Sequence, residues 1–221
     1  MGFFTDIAQQ YTKMQNDALA NTGSANNQIG NALINNLYNS LAHVETGGEE
    51  DPYIRTKVLG SGSSAYGPLQ MTGGSGSMMA NIYNNPQLAL KMGINPSELT
   101  YIGNYLDQGQ KFLDYGGGDW QRLVDEGAIS MEEGLMMRDK YEYGKAGDLG
   151  GADNRALYEQ VSKKILDYEF HEQAGGDPEK FIRNWHHGAN ATDEEWAKYR
   201  NSPAGSQYVN NFLSQFQMPS S

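Results

Sequence analysis

Along residues 29–45, apolar side chains recur at spacings of four and three: Leu33, Leu37, Leu41 and Val44 make one stripe, which Ile34 and Tyr38 widen. That period predicts an amphipathic helix with one buried face. Gly47 and Gly48 follow at once and predict its stop, which leaves Glu45 on the last turn. Residues 46–75 lose the period and are rich in glycine and proline, predicting loop or a small hairpin. Helical spacing returns at 77–84, 86–92, 97–114, 119–126, 131–143 and 152–172, the last carrying Leu157, Val161, Ile165, Leu166 and Tyr168. Asp177 as a cap with Pro178 in the first turn predicts a helix that stops by Gly188. Thr192 with Glu195 spells a capping box ahead of Trp196 and Tyr199, and Pro203 opens a last helix that runs to Phe216. With no alternating strand of useful length and no repeat at a fixed period, the expected fold class is mainly α.

Residues 1–28 differ from the rest: they are poor in charge and rich in Asn, Gln and Ala, with Phe3, Phe4, Ile7 and Tyr11 on one short face and "NTGSANN" as a break. They read either as a frayed arm or as a docking helix, ahead of one domain over 29–217. A chain of 221 residues is long enough to bury a sizeable core in one domain.

Charge narrows the partners. Sixteen basic residues against 27 acidic ones give a net charge of −11, and the basic residues are scattered. Nucleic-acid binding depends on clustered Lys and Arg, so it is not expected here. Cysteine is absent, which excludes disulfides, thiolate metal sites and a cysteine nucleophile. No apolar run approaches the ~20 residues of a membrane span, and the start "MGFFTDIAQQYTK" lacks the basic region of a secretory signal.

Glu45 is the side chain that asks for a chemical reason. Negative charge is disfavoured at a helix C-terminus, and apolar burial penalises the charged form as well. A carboxyl held protonated in this way can act as a general acid near neutral pH. Cleavage of a glycosidic bond needs such an acid at the leaving oxygen, usually with a second carboxylate on the other face of the sugar. Glu49, Glu50 and Asp51 are the nearby candidates for that second group, although the trio reads first as a solvated charge run.

The helix end "VETGG" and the downstream "SSAYGPLQM" together resemble the two leading motifs of the lytic transglycosylase superfamily, which includes goose-type and phage lambda lysozymes. Glu45 matches the catalytic acid, and Ser64, Tyr66, Gly67 and Gln70 match the second motif. A third motif is similar to "NWHHGAN" at 184–190, with Tyr199 or Tyr208 downstream, although Trp185 and His186 stand where Tyr-Asn is commoner. The resemblance implies a lysozyme-like helical domain whose small loop or β-hairpin region lines a glycan groove. It implies that Glu45 protonates the oxygen between MurNAc and GlcNAc and then takes the proton of the sugar's own C6 hydroxyl, giving a 1,6-anhydro product without cofactor. Ser64, Tyr66, Gln70, Trp185 and Tyr208 are the implied substrate-binding residues, with Tyr66 readable also as a packed turn residue. The implied partner is the glycan strand of peptidoglycan. A virion-carried protein used during phage genome delivery is the expected context, with residues 1–28 contacting other virion proteins; a non-catalytic virion component or a hydrolytic endolysin are the alternatives.

Other chemistry-bearing residues read more plainly. His186 and His187 are adjacent, so on a helix their rings should point apart and make a poor metal site. Trp120, Trp185 and Trp196 are candidate core anchors, with Trp185 placed near the groove. The ten methionines, Met78, Met79, Met136 and Met137 among them, read as adaptable packing.

Overall fold

A computed structural model describes residues 24–48, 51–58, 63–143, 152–188 and 190–216. Residues 1–23, and Glu49 and Glu50, lie outside that set. The protein is mainly helical with one small antiparallel sheet, and it divides into two compact units, 1–48 with 162–221, and 49–161.

The first unit contains α1 (Ser24–Thr46), the second half of α7 (Ala152–Tyr168) with its π-helical continuation Glu169–Gln173, α8 (Pro178–His187), α9 (Asp193–Arg200) and α10 (Pro203–Gln215). α1 begins before Ile29, inside the span read as an arm, and it ends one residue past Glu45. Leu33, Ile34, Leu37, Tyr38 and Leu41 are buried, as the stripe predicts, and α10 packs on this helix. Aromatic rings pack beside Ile165, Leu166, Ile182 and Val209 in the rest of the core: Phe181 lies 5.9 Å from Phe212, which stacks at 5.7 Å on Phe216. Asp177 caps α8 by accepting from the amides of Glu179 and Lys180 at 2.9 and 3.2 Å, with Pro178 in the first turn. Thr192 and Glu195 close the expected capping box of α9. Such caps satisfy backbone donors that would otherwise lack a partner at a helix start.

The second unit is built on β1 (Arg55–Val58), β2 (Ser63–Tyr66) and β3 (Met71–Thr72), ordered β1-β2-β3, with Arg55 opposite Tyr66 and Ala65 opposite Thr72. α2 (Met78–Asn84), α3 (Pro86–Lys91) and α4 (Pro96–Asp114) follow. α4 packs against β2 and α2, and a capping box between Asn95 and Glu98 fixes its start. α5 (Trp120–Asp125) and α6 (Met131–Met137), with a π-helical turn over Arg138–Glu142, pair with one another. The first half of α7 completes the unit. No helix among the described residues is long and apolar enough to cross a membrane.

Candidate active site

The last turn of α1 presents Glu45 half-buried. Tyr208 of α10 donates its hydroxyl to Glu45 Oε1 at 2.5 Å, and the indole of Trp185 on α8 also hydrogen-bonds to this carboxyl. Desolvation raises the Glu45 pKa above its ordinary 4.5, while the two hydrogen bonds pull the other way and are outweighed. Tyr208 is pushed far above the usual phenol range, first by burial and then by the carboxylate it faces, so it stays a donor. A protonated carboxyl can accept from Tyr208 at Oε1 and still offer a proton from Oε2.

A ring cluster stands beside this pair. His186 stacks on Tyr199 at 4.4 Å, with Nε2 3.0 Å from the tyrosine hydroxyl, and meets Tyr208 edge-on at 4.8 Å. His187 packs on Tyr199 as well, at 4.6 Å, with its ring 4.7 Å from that of His186. The two imidazoles do not point apart as their adjacency suggests: their Nδ1 atoms are 2.9 Å apart, because both rings share Tyr199 at the end of α8. A contact of that length needs one protonated and one bare nitrogen. Rings packed on His186 desolvate it and, with the neighbouring His187, lower its pKa, although an edge of the ring stays exposed. Among the described residues no group of three or more metal-ligating side chains gathers.

The second motif lies in the other unit and is far more enclosed than a binding segment should be. Ser64 and Tyr66 are each only 1% exposed. Ser64 Oγ accepts from Arg55 Nη1 at 3.2 Å and donates to the Gly109 carbonyl at 3.4 Å. Tyr66 is boxed by the rings of Tyr53, Tyr105 and Tyr158 at 6.0–6.1 Å, and Arg55 lies 4.9 Å above its ring. Burial pushes its hydroxyl up to about 12. Direct sugar contact is therefore corrected for both residues: they brace the sheet, and Tyr66 is packed, at the end of β2 and not in a turn.

Gln70 is half-exposed and is held at both ends of its amide, which donates to the Gly67 carbonyl at 2.9 Å and accepts from Thr56 Oγ1 at 3.0 Å. Its φ of +44° makes it the one non-glycine residue in the left-handed region among those described, an arrangement that costs roughly 1–2 kcal/mol. Gly67, three residues earlier, cannot be replaced freely, since a β-carbon there would fall 2.5 Å from the Tyr158 ring at a φ of +80°. Tyr158 is held at that distance by donating to the Tyr66 carbonyl at 3.0 Å and accepting from the Leu69 amide at 3.1 Å. A built turn thus presents Gln70, with one N–H and one lone pair of its amide still unused.

Asp51 is engaged elsewhere: it accepts from the Tyr53 amide at 3.2 Å and pairs with Arg155 at 3.2 Å on the surface. Arg55 is the residue that sequence reading passed over. It is 2% exposed, flanked by Tyr66 and Tyr105, and has no carboxylate partner among the described residues. The tyrosines at 101 and 105, one helical turn apart on α4, were the signal for a buried aromatic box that could hold it. Comparison of the chain with protein-family models, with curated proteins and with solved structures finds no match.

Proposed function

We propose that this protein cleaves the glycan strands of peptidoglycan as a lytic transglycosylase, with Glu45 as the acid that protonates the oxygen between MurNAc and GlcNAc and as the base that then accepts the C6 hydroxyl proton. The observation that carries this reading is a single desolvated carboxyl at a helix end, its pKa raised, held by the Tyr208 hydroxyl and the Trp185 indole. Both partners are donors and neither is a carboxylate, so in this reading Glu45 itself serves both proton transfers. Asp51 is engaged by Arg155, which supports the anhydro product over hydrolysis. In this reading Trp185 and Tyr208 hold the acid, and their aromatic bodies flank the sugar that is cut.

The test is digestion of purified peptidoglycan sacculi by the wild type and by Glu45→Gln, with the muropeptides resolved by mass spectrometry. The proposal expects 1,6-anhydro ends from the wild type and none from the variant. Reducing ends in place of anhydro ends would make the enzyme a hydrolase. Digestion by neither protein would support a non-catalytic role, and equal digestion by both would remove Glu45 from the mechanism.

A further inference from the structure

Helix α6 carries its apolar side chains on the wrong side. Met131, Leu135 and Met136 are 49%, 38% and 59% exposed, whereas the buried residue of this helix is Gly134. A β-carbon on Gly134 would lie 2.9 Å from both Trp120 and Val124, so this glycine is where α6 presses on α5. At about 100° per residue, Glu132 and Met136 lie nearly opposite Gly134, with Leu135 and Met131 on the flank. A surface helix normally turns such residues inward. Met136 therefore does not serve the packing role its type suggests, and exposed apolar side chains gathered on one short helix mark a surface that meets something.

The charge around it says what. Over residues 119–142 there are seven acidic and three basic side chains, 3 − 7 = −4. All three cations are already engaged. Arg122 pairs with Asp119 at 2.9 Å and with Glu126 at 2.7 Å. Arg138 pairs with Asp139 at 3.1 Å and covers the Trp120 ring, and Lys140 lies over Tyr141. What remains facing outward is apolar surface with unneutralised carboxylates such as Glu132 beside it. A second copy of this chain would bring another net charge of −11 to the same acidic rim, and an anionic lipid surface would be repelled likewise.

We propose that the outward face of α6 docks a basic amphipathic segment of another polypeptide, its apolar side chains covering Met131, Leu135 and Met136 and its Lys or Arg residues meeting Glu132 and the surrounding acids. Methionine suits this use because its unbranched chain repacks against varied shapes. Recognition follows the mode in which a helix lays its apolar stripe on a partner and charge at the edges sets orientation.

The probe is a synthetic amphipathic peptide of leucine and lysine, labelled for fluorescence anisotropy, with a leucine and glutamate peptide of the same pattern as control. Both are titrated at physiological salt into the wild type and into Met131→Gln/Leu135→Gln/Met136→Gln. Circular dichroism and thermal unfolding establish that the variant, changed only at exposed positions, is folded. The expected result is binding of the lysine peptide to the wild type at least about tenfold tighter than to the variant or than the glutamate peptide to either, with amide exchange slowed over 131–136. Equal lysine-peptide affinity for wild type and variant overturns the proposal, as does equal binding of the glutamate peptide. Lipid vesicles protecting the same amides where the peptide does not, or a self-associating wild type that the triple variant renders monomeric in sedimentation, would overturn it in favour of a membrane or a second copy.

Discussion

Glu45 and Arg55 are charged side chains drawn inward, one in each unit, and they are treated in opposite ways. Glu45 keeps part of its surface and has two donors turned on it, whereas Arg55 is 2% exposed with one acceptor, Ser64 Oγ, and with Nε and Nη2 lacking any hydrogen-bond partner among the described residues. Burying an unpaired ion costs several kcal/mol. A glutamate can escape that cost by taking up a proton, and the raised pKa of Glu45 records the escape. Burial lowers the pKa of Arg55 too, but arginine starts so high that it stays charged. Its offset comes from the faces of Tyr66 and Tyr105 at 4.9 and 5.1 Å instead. Under the proposed function the difference separates chemistry from scaffold: the group able to change protonation sits at a partly open surface, and the one unable to change it holds the sheet.

Glu45→Gln gives the largest effect that this contrast predicts. Removing a general acid should lower glycan cleavage by about a thousandfold. Stability should move the opposite way. A carboxyl whose folded pKa is raised favours folding below its unfolded value of 4.5, and that benefit is lost as pH rises through the folded value. At neutral pH the glutamine variant should therefore unfold at the same temperature as the wild type or a higher one, the gap closing as pH falls below 4.5. A variant that is inactive and also less stable at neutral pH would show that Glu45 is structural.

In the scaffold, Arg55→Ala comes next. The side chain fills the space between β1 and α4, where a β-carbon on Gly109 would already lie 3.0 Å from Arg55 Nη1. Its removal leaves a cavity between Tyr66 and Tyr105, and urea unfolding should show a loss of about 3 kcal/mol. Tyr158→Phe should cost about 2 kcal/mol, since it strands the Leu69 amide inside the protein and removes one donor from the Tyr66 carbonyl. Both residues belong to the second unit, so residual cleavage per folded molecule by Arg55→Ala or Tyr158→Phe tests whether the two regions are separable.

Much of this arrangement was legible because its signals are local. Asp177, Thr192 and Pro203 announce their helices through side chains that bond or constrain the backbone next to them, and those helices begin where the residues stand. Glu45 was readable for the same reason, a carboxylate against glycines at a helix end. The sheet was harder. All four residues of β2 are buried, so no alternation betrays it, and β3 has two residues. Ser64 and Tyr66 were misplaced because polar residues beside a Gly-Pro turn read as surface, while what buries them comes from Tyr105 and Tyr158, distant in sequence. Tyr208 does stand at the acid centre, but its hydroxyl is turned onto Glu45, a pairing across 163 residues that no local pattern could announce.

Tyr208→Phe sharpens the acid side of the comparison with a smaller change. Its hydrogen bond favours the carboxylate, so its loss should raise the Glu45 pKa further and move the high-pH limb of the cleavage profile upward. An unmoved limb, with kcat alone reduced, would mean that the hydroxyl orients substrate and does not tune the acid.

The smallest effect is the sharpest, and it belongs to Arg55→Met. If the guanidinium contributes mainly volume and contact with the rings, an unbranched apolar chain of similar reach keeps the packing and removes an ion that has one hydrogen bond to offset its burial. Unfolding in urea should then differ from the wild type by less than about 1 kcal/mol in either direction, against the larger loss for alanine. The Ser64 hydroxyl keeps the Gly109 carbonyl as acceptor, so no new unsatisfied group arises from it. A methionine variant as unstable as the alanine one would place the value of Arg55 in its charge. The tyrosine box would then be an electrostatic device like the acid centre, and the contrast between the two units would fail.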